Sequence, residues 1–203
     1  MLTKHTHGLY STKVKCNIGE LATTCDTMYK FIGSTFAKTD TFNGNSTLLT
    51  KLYTRYNFLM YPLPGVHELY RNIRDVFNNS YYEYFGYENN RPHFIQCWLN
   101  YYWRGDFIDW HGHWPSEYNA WHGFFCVNVE PQSSTLYKWK DSEQIIEVPS
   151  QNGLMVMGIS DQDKHRSTEW NQQAPRITVA FDIVPVDNAS IRPEQYINHW
   201  LPI

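Results

Sequence analysis

The chain has 203 residues and a formal net charge of −3 at pH 7, and these values exclude several classes of protein. A length of this order suits one domain with a sizeable core. The weak charge is unlike the basic field of proteins that bind nucleic acid through its phosphates, although recognition by shape or by base contacts stays compatible with it. Aromatic residues make up 17% of the chain, which suits strands, pocket walls and planar ligands.

The cysteines and the apolar runs predict a soluble, cytoplasmic protein. None of the four cysteines forms a Cys-x-x-Cys pair, which argues against a structural zinc site. The start of the chain lacks the apolar segment of a signal peptide, and no apolar run approaches the length of a membrane span. We therefore expect reduced thiols and no membrane partner, whereas the sequence leaves the oligomeric state open.

Residues 1–91 are predicted to form a cover of strands and helices. The predicted elements are a strand, a helix, a second strand ended by proline and an amphipathic second helix: Leu9–Cys16, Glu20–Phe36, Leu52–Pro62 and Val66–Phe77. The run Asn78-Asn79-Ser80 is predicted to break the second helix. The pair His5-x-His7 is expected to lie in a frayed, solvated end.

From residue 92 to residue 186 the pattern changes to short aromatic and β-branched segments separated by turn residues. The candidate strands are His93–Tyr102, Phe107–His113, His122–Val129, Ser134–Trp139, Gln144–Val148, Leu154–Ile159, His165–Trp170 and Arg176–Pro185. This density of strands predicts a mainly β protein with a sandwich or barrel core and flanking helices. We expect one domain over residues 1–203, with a C-terminal extension over residues 187–203 that contains a short helix, Pro193–Trp200.

Two histidines separated by one glycine, His111 and His113, carry the main chemical signal. In a strand, residues i and i+2 point to the same face, so both imidazoles can reach one ion. Gly112 between them lets the backbone turn close to a metal. A third histidine, His165, lies far downstream at the start of a predicted strand. Because an iron site for oxygen chemistry needs three protein ligands on one face, the three histidines predict such a site.

Two segments around this pair resemble the Fe(II)/2-oxoglutarate-dependent oxygenases. The spacing Tyr102-x-x-Gly105, followed by His111-x-His113, resembles the Tyr-x-x-Gly…His-x-Asp segment of prolyl-hydroxylase-like members. The preceding Trp98-x-Asn100-x-Tyr102, with the later Gly123-Phe-Phe, resembles a bacterial and phage branch. That branch carries Trp-x-Asn, His-x-His-Pro and Ser-Gly-Val-Tyr-Tyr.

A third segment extends the resemblance to the region 95–185. Gly153-Leu-Met-Val-Met, followed by His165 and then Arg176-Ile-Thr178, is similar to the family's Gly-x-φ-x-φ-Phe…His…Arg-x-Ser, where φ is apolar. The resemblance implies a double-stranded β-helix core, a jelly roll of the cupin type. It also implies Fe(II) as cofactor, with 2-oxoglutarate and O2 as cosubstrates.

The resemblance further assigns roles to single residues. His111 and His165 are expected to bind iron, with His113 as the third metal ligand. Arg176 is expected to contact the distal carboxylate of 2-oxoglutarate with two hydrogen bonds, a geometry that guanidinium suits better than ammonium. The remaining residues of the cosubstrate site are expected to reach that carboxylate or to line its pocket: Thr178, Tyr102, Asn100 and Trp98.

Position 113 departs from the family pattern, in which the third ligand is a carboxylate. Three neutral ligands leave the full +2 charge on the iron, which strengthens the binding of a dianionic cosubstrate. In the alternative interpretation His113 lies outside the ligand set and Asp109 or Glu117 coordinates the metal, since Asp109 is also two residues from His111. His93 and His122 are expected to be core or rim histidines.

The function implied by the resemblance is hydroxylation of an unidentified small molecule or side chain, with release of succinate and CO2. Two other hypotheses stay open, one an enzyme and one a binding module. The first is a three-histidine cupin dioxygenase that needs no 2-oxoglutarate, and the second is a non-catalytic β-sandwich binding module. The pair Arg176 and Thr178 argues against the former, because it makes best sense as a carboxylate clamp.

Overall fold

A computed structural model describes residues 1–36, 48–139, 144–160, 163–189 and 199–203. In these ranges the chain folds as a mainly β protein with flanking helices, and its core is the predicted double-stranded β-helix. The strands are β1 Thr3–Thr6, β2 Leu9–Lys13, β3 His93–Tyr102, β4 Trp121–Asn128, β5 Ser134–Lys138, β6 Ile145–Pro149, β7 Leu154–Ile159, β8 Lys164–Ser167, β9 Arg176–Pro185 and β10 Leu201–Pro202. The helices are α1 Ile18–Phe36, α2 Leu48–Lys51, α3 Val66–Phe85 and α4 Val186–Ala189.

The strands form two antiparallel sheets. The larger sheet has the order β1-β2-β7-β4-β9-β3-β10, and the smaller sheet has the order β6-β5-β8. Side chains of both sheets join one core, as Tyr137 and Val148 of the smaller sheet and Phe125 and Val179 of the larger one illustrate. Helices α1 and α3 pack against the larger sheet. Among the described helices, none combines the length and the hydropathy that a membrane span requires.

The central strands β3 and β9 are buried almost throughout because the larger sheet is covered on both faces. All ten residues of β9 and nine of the ten in β3 are buried. Strand β9 nevertheless alternates, with the polar Arg176, Thr178 and Asp182 on one face and apolar residues on the other. The two strands pair in register over their full length. Polar side chains on this buried surface must therefore find partners or a ligand within the fold.

Most of the predicted strands are present. Six of the eight candidates agree with β3, β4, β5, β6, β7 and β9 to within one residue at each end. The candidate His165–Trp170 ends earlier, because the backbone N–H of Trp170 donates to Asp106 and not to a neighbouring strand. The predicted helix Pro193–Trp200 lies almost wholly outside the described residues.

The prediction of a strand at Leu52–Pro62 is wrong. The segment forms turns and one 3-10 turn, Phe58–Met60, and side chains satisfy its backbone instead of a strand ladder. Asn57 accepts a hydrogen bond from the N–H of Leu59 and donates to the carbonyl of Ile95 on β3. The amide of Gln96 donates to two carbonyl groups of the segment. These bonds fix an irregular segment against β3.

The predicted break of α3 is also wrong, since the helix continues to Phe85. Asn78 and Asn79 are exposed, so their low helix propensity is a small cost. Tyr81 beyond them is buried against the core, and its ring contacts that of Phe85 at 4.5 Å between centroids. The helix ends at Gly86, whose φ of 78° places it in the left-handed region that commonly ends helices.

The N-terminal end is a paired edge strand, so the prediction of a frayed terminus is wrong. Strand β1 pairs with β2. The Nε2 atom of His5 lies 2.8 Å from the hydroxyl of Ser11, and the ring of His7 stacks on Tyr84 with centroids 4.4 Å apart. Both histidines serve packing at the sheet edge.

Candidate metal centre

Three predicted metal ligands come together at one point between the sheets. His111, His113 and His165 each offer a ligand atom, and these atoms lie within 4.8 Å of one another. The ring centroids are 4.3 Å apart for His111 and His165, and 5.1 Å apart for His113 and His165. Such a cluster has the size and the chemistry of a site for one divalent transition metal.

A single β-bridge places His111 beside His165. The N–H of each residue donates to the carbonyl of the other, at 3.0 and 2.9 Å. The prediction of a full strand at Phe107–His113 is therefore wrong. Apart from this bridge the segment is irregular, although the N–H of Ser167 on β8 donates to the carbonyl of Ile108. The N–H of Ile108 donates instead to the hydroxyl of Ser167. The segment lies beside β8, and its two histidines line the cavity.

Hydrogen bonds at one ring nitrogen orient the other nitrogen of two histidines. The Nδ1 atom of His111 lies 2.7 Å from the carbonyl oxygen of Asp109. The Nδ1 atom of His113 lies 2.6 Å from Oδ1 of Asp182. An acceptor at Nδ1 keeps the proton there, so that Nε2 carries the lone pair that a metal needs.

Burial favours the neutral form of His111 and His165. Burial and the neighbouring His113 lower the pKa of His111 to about 4. Burial also lowers the pKa of His165 well below its ordinary value, and the surrounding histidines act in the same direction. Both imidazoles are therefore uncharged at neutral pH, which is the protonation state that coordinates metals.

The two alternative carboxylate ligands lie at the surface. Asp109 and Glu117 are both exposed, and a side-chain oxygen of Asp109 accepts a hydrogen bond from the N–H of Trp110. Neither carboxylate joins a group of potential metal ligands in the described part of the chain. The geometry therefore favours His113 over either acid.

A second buried group next to the first was missed in the sequence. His122, Asp163 and His165 also offer ligand atoms within 4.8 Å of one another. Oδ2 of Asp163 lies 3.1 Å from Nε2 of His122 and 3.5 Å from Nδ1 of His165, but none of these three atoms has a well-aligned hydrogen bond. Burial opposes ionisation of Asp163, yet the two histidines lower its pKa below the ordinary value.

The spacing of Asp163 in the sequence could have indicated that it lies near the metal centre. It precedes His165 by two residues, the same spacing that links Asp109 to His111. His122, which we expected in the core or at the rim, is 2% exposed and lines the cavity. Its ring lies parallel to that of His165 at 4.9 Å.

Asp182 is the second acid that the sequence reading missed. It lies near the end of β9, opposite Gln96 and His122 in the two neighbouring strands. Its carboxylate contacts His113 and accepts a hydrogen bond of 3.0 Å from Nε1 of Trp114. Burial raises its pKa, but His113 and the other donors outweigh burial and lower the pKa below its ordinary value.

A cavity of about 270 Å³ opens beside the histidines. It lies between the sheets, since its lining includes Thr135 and Ser167 of the smaller sheet. On the larger sheet, alternate residues of β3 and β9 form its floor in register: Tyr102 opposite Arg176, Asn100 opposite Thr178, Trp98 opposite Ala180 and Gln96 opposite Asp182. All the residues predicted for the cosubstrate site therefore line one cavity.

Arg176 is the main electrostatic feature of this cavity. It is 1% exposed, and its Nη2 donates only to the hydroxyl of Ser150, at 3.4 Å. Nε and Nη1 have no hydrogen-bond partner, and no carboxylate pairs with Arg176 in the ranges that the structure describes. Because a buried charge without a counter-charge is costly, this arrangement fits an anionic ligand.

The neighbours of Arg176 add neutral donors to the same end of the cavity. The guanidinium lies over the ring of Tyr102, 5.0 Å from the centroid. Burial raises the pKa of Tyr102, so its hydroxyl stays protonated and can donate. The amide of Asn100 donates to the hydroxyl of Thr178 at 3.4 Å. These groups are suited to bind a carboxylate.

The residues fit a metal ion and a keto acid side by side. Three imidazoles that line one cavity supply nitrogen donors of the kind that Fe(II) accepts, and they would hold such an ion there. The unpaired donors of Arg176 suit the far carboxylate of a dicarboxylate.

The sequence matches no model of a protein family, and no curated protein matches it. Solved structures with the same fold do exist. A prolyl hydroxylase from Trichoplax adhaerens, in complex with a fragment of the hypoxia inducible factor oxygen degradation domain, aligns with a TM-score of 0.62 at 11% identity, over 93% of this chain and 89% of that one. A prolyl-4-hydroxylase from Pseudomonas putida aligns with a TM-score of 0.56 at 13% identity, over 89% of this chain and 94% of that one.

The epimerase SnoN of nogalamycin biosynthesis, in complex with Fe3+, alpha ketoglutarate and nogalamycin RO, aligns with a TM-score of 0.56 at 9% identity, over 88% of this chain and 79% of that one. At such identities the likeness establishes the fold. The chain therefore has the jelly-roll fold of the 2OG-Fe(II) oxygenases, and the resemblance predicted from its sequence is confirmed at that level.

Proposed function

We propose that this protein is an Fe(II)- and 2-oxoglutarate-dependent dioxygenase that hydroxylates its substrate. The observation that carries the proposal is the buried, unpaired Arg176 in the same cavity as His111, His113 and His165. The histidines alone fit many metalloproteins. A cationic group in the same cavity without a counter-charge points to an anionic cosubstrate.

The proposed reaction converts substrate C–H, 2-oxoglutarate and O2 into substrate C–OH, succinate and CO2. Bound Fe(II) with the chelating keto acid supplies the oxidising chemistry when O2 is present. One oxygen atom goes to the substrate and the other to succinate. The task of the protein is to position the reactants and to exclude water.

Each predicted residue has a part in that positioning. His111, His113 and His165 would hold the iron from one side and leave the opposite positions open to the cavity. Arg176 would bind the distal carboxylate of 2-oxoglutarate, with hydroxyl donors from Tyr102 and Thr178 beside it.

The substrate would enter at the other end of the cavity. Aromatic side chains line this end, among them Tyr53, Trp98 and Trp114, and the ring of Trp98 lies 6.0 Å from that of His113. Such walls exclude water from the reacting atoms and favour an apolar or planar group on the substrate. Both a free small molecule and a side chain of a larger partner are compatible with them.

A second candidate function is favoured by the third histidine itself. Replacement of the usual carboxylate ligand by His113 gives the all-histidine set of cupin dioxygenases that act without 2-oxoglutarate. Arg176 argues against this candidate, because a direct dioxygenase gives no role to a buried guanidinium at the far end of the cavity.

Oxygen-dependent decarboxylation tests the proposal. The Fe(II)-loaded protein should convert 2-oxoglutarate slowly to succinate and CO2 even without substrate, and a panel of metabolites and peptides should reveal compounds that accelerate it. Arg176→Met should abolish the reaction, whereas the same substitution at the exposed Arg71 should leave it intact. Wild-type protein that binds iron and yet never forms succinate would support the 2-oxoglutarate-independent candidate.

A further inference from the structure

Two buried carboxylates touch the histidine cluster from outside. Asp182 is 8% exposed and Asp163 is 3% exposed. Asp182 contacts His113 at 2.6 Å, and Asp163 contacts His165 at 3.5 Å. Each acid faces Nδ1 of its histidine, so the other ring nitrogen stays available to a metal.

The charges explain why these acids belong to the site. A set of two histidines and one carboxylate reduces a divalent ion to a net charge of +1, whereas three neutral histidines leave it at +2. Burying an uncompensated +2 ion in the same cavity as the cationic Arg176 is unfavourable. Two carboxylates at the outer edge of the histidines restore negative charge without occupying a coordination position.

We propose that Asp182 and Asp163 act as positioning residues, which supply through His113 and His165 the negative charge that a carboxylate ligand would otherwise place on the metal. The proposal rests on the metal centre of the proposed function. The carboxylate of Asp182, bonded to Nδ1 of His113, makes the opposite nitrogen of that ring a stronger donor and fixes its orientation. Asp163 makes no aligned hydrogen bond to His165 and acts through its charge at 3.5 Å.

Asp182 has the geometry of a partner and not of a ligand. One oxygen contacts Nδ1 of His113, and the other accepts the 3.0 Å hydrogen bond from Trp114. Both oxygens are therefore occupied. Asp182 also joins neither of the ligand groups found in the described residues.

The position of Asp163 is coupled to the backbone between the two upstream histidines. A Cβ atom at Gly112 would lie 3.0 Å from the carbonyl oxygen of Asp163. The backbone of Asp163 thus packs directly on Gly112 between the two histidines, and glycine permits that approach. The same carboxylate also contacts His122 at 3.1 Å, which ties the fourth histidine of the cluster to this acid.

In this arrangement, loss of a carboxylate should change the affinity for the metal and the affinity for an anionic cosubstrate in opposite directions. Loss of either carboxylate charge should weaken the binding of the metal, because its histidine becomes a poorer donor. The same loss should strengthen the binding of an anion to the metal-loaded protein, because the centre becomes more positive. A general disturbance of the fold would weaken both.

The experiment compares Asp182→Asn and Asp163→Asn with wild type. Co(II) serves as the metal probe, because its visible absorption reports both affinity and ligand geometry, and 2-oxoglutarate is then titrated into Fe(II)-loaded protein without oxygen. We expect each variant to bind Co(II) about 10- to 100-fold more weakly and to bind 2-oxoglutarate more tightly. Asp187→Asn, which removes the same charge from an exposed position just after β9, should match wild type in both titrations.

Three results would overturn the proposal. Unchanged Co(II) affinity in both variants would show that the acids do not act on the centre. Parallel loss of both affinities would assign them a merely structural role. Co(II) binding that survives His113→Ala but not His122→Ala or Asp163→Asn would make Asp163 a ligand in the second group. If the wild-type protein binds Co(II) but never 2-oxoglutarate, the proposed function is contradicted. The Co(II) titrations of the two variants still test the roles of Asp182 and Asp163.

Discussion

Arg176 and Tyr102 form a cross-strand pair whose guanidinium lies over the phenol ring, 5.0 Å from its centroid. The ring covers one face of the cation and offers it a cation–π contact. This contact holds the guanidinium in place, while Nε and Nη1 stay without a hydrogen-bond partner. The pair therefore presents a preorganised cationic group to the cavity.

Replacement of Arg176 by Met should abolish the binding of 2-oxoglutarate without lowering the stability of the ligand-free protein. The variant removes a buried charge that has no counter-charge, so we expect the ligand-free protein to be equally stable or more stable, by up to about 1–4 kcal/mol. Binding of 2-oxoglutarate to the metal-loaded protein should be lost. Thermal unfolding without ligand and an anaerobic titration measure the two effects. A variant that is clearly less stable would show that Arg176 already has the partners it needs.

Replacement of Tyr102 by Phe should have a smaller effect on the same titration. It removes one neutral donor and keeps the ring that packs over Arg176. A hydrogen bond to a charged carboxylate contributes about 1.5–3 kcal/mol, so 2-oxoglutarate affinity should fall by about 13- to 160-fold. Tyr82→Phe, at an exposed position of α3, is the matched control. Equal affinity in both variants would remove Tyr102 from the cosubstrate site.

The ligand set makes a prediction for five single variants. His111→Ala, His113→Ala and His165→Ala should each abolish tight binding of Fe(II) or Co(II), because each removes one of three donors. Asp109→Asn and Glu117→Gln should bind metal as wild type does, since both carboxylates are exposed and outside the cluster. Metal-binding titrations measure all five. Loss of binding in either carboxylate variant would restore the alternative ligand set.

Substitution by alanine at two glycines, Gly123 and Gly33, should change the stability of the fold in opposite directions. A Cβ atom at Gly123 on β4 would lie 2.3 Å from the carbonyl oxygen of Val156 and 2.7 Å from the ring of Phe181. We expect Gly123→Ala to destabilise the fold by at least about 1–3 kcal/mol. Gly33 lies in α1 with open space around it, so Gly33→Ala should stabilise the protein by about 0.5–1 kcal/mol. Denaturant unfolding compares them, and a neutral Gly123→Ala would contradict the packing described for β4.

Much of the core could be predicted because its strands are short, aromatic and separated by turn residues. The segments that become β3 and β9 were located to the residue, and their period of two places Asn100 and Tyr102, and likewise Arg176 and Thr178, on one face. The order of the motifs then brought the histidines and the arginine into one site.

The remaining features depend on contacts between distant parts of the chain. Nothing local marks Asp182 as the partner of His113, since the two meet only because β9 runs beside the segment after His111. The same holds for His122, whose place in the cavity follows from its pairing opposite Asp182. The segment Phe107–His113 has the composition of a strand but finds a single bridging partner, which is a property of the assembled sheets.

The most direct test of the central claim is an anaerobic absorption spectrum of the purified protein with Fe(II) and 2-oxoglutarate. Chelation of the keto acid to iron in this cavity should give a weak visible charge-transfer band that is saturable in 2-oxoglutarate. The band should be lost in His111→Ala and in Arg176→Met. A wild-type protein that binds Fe(II) but shows no band with 2-oxoglutarate would contradict the account.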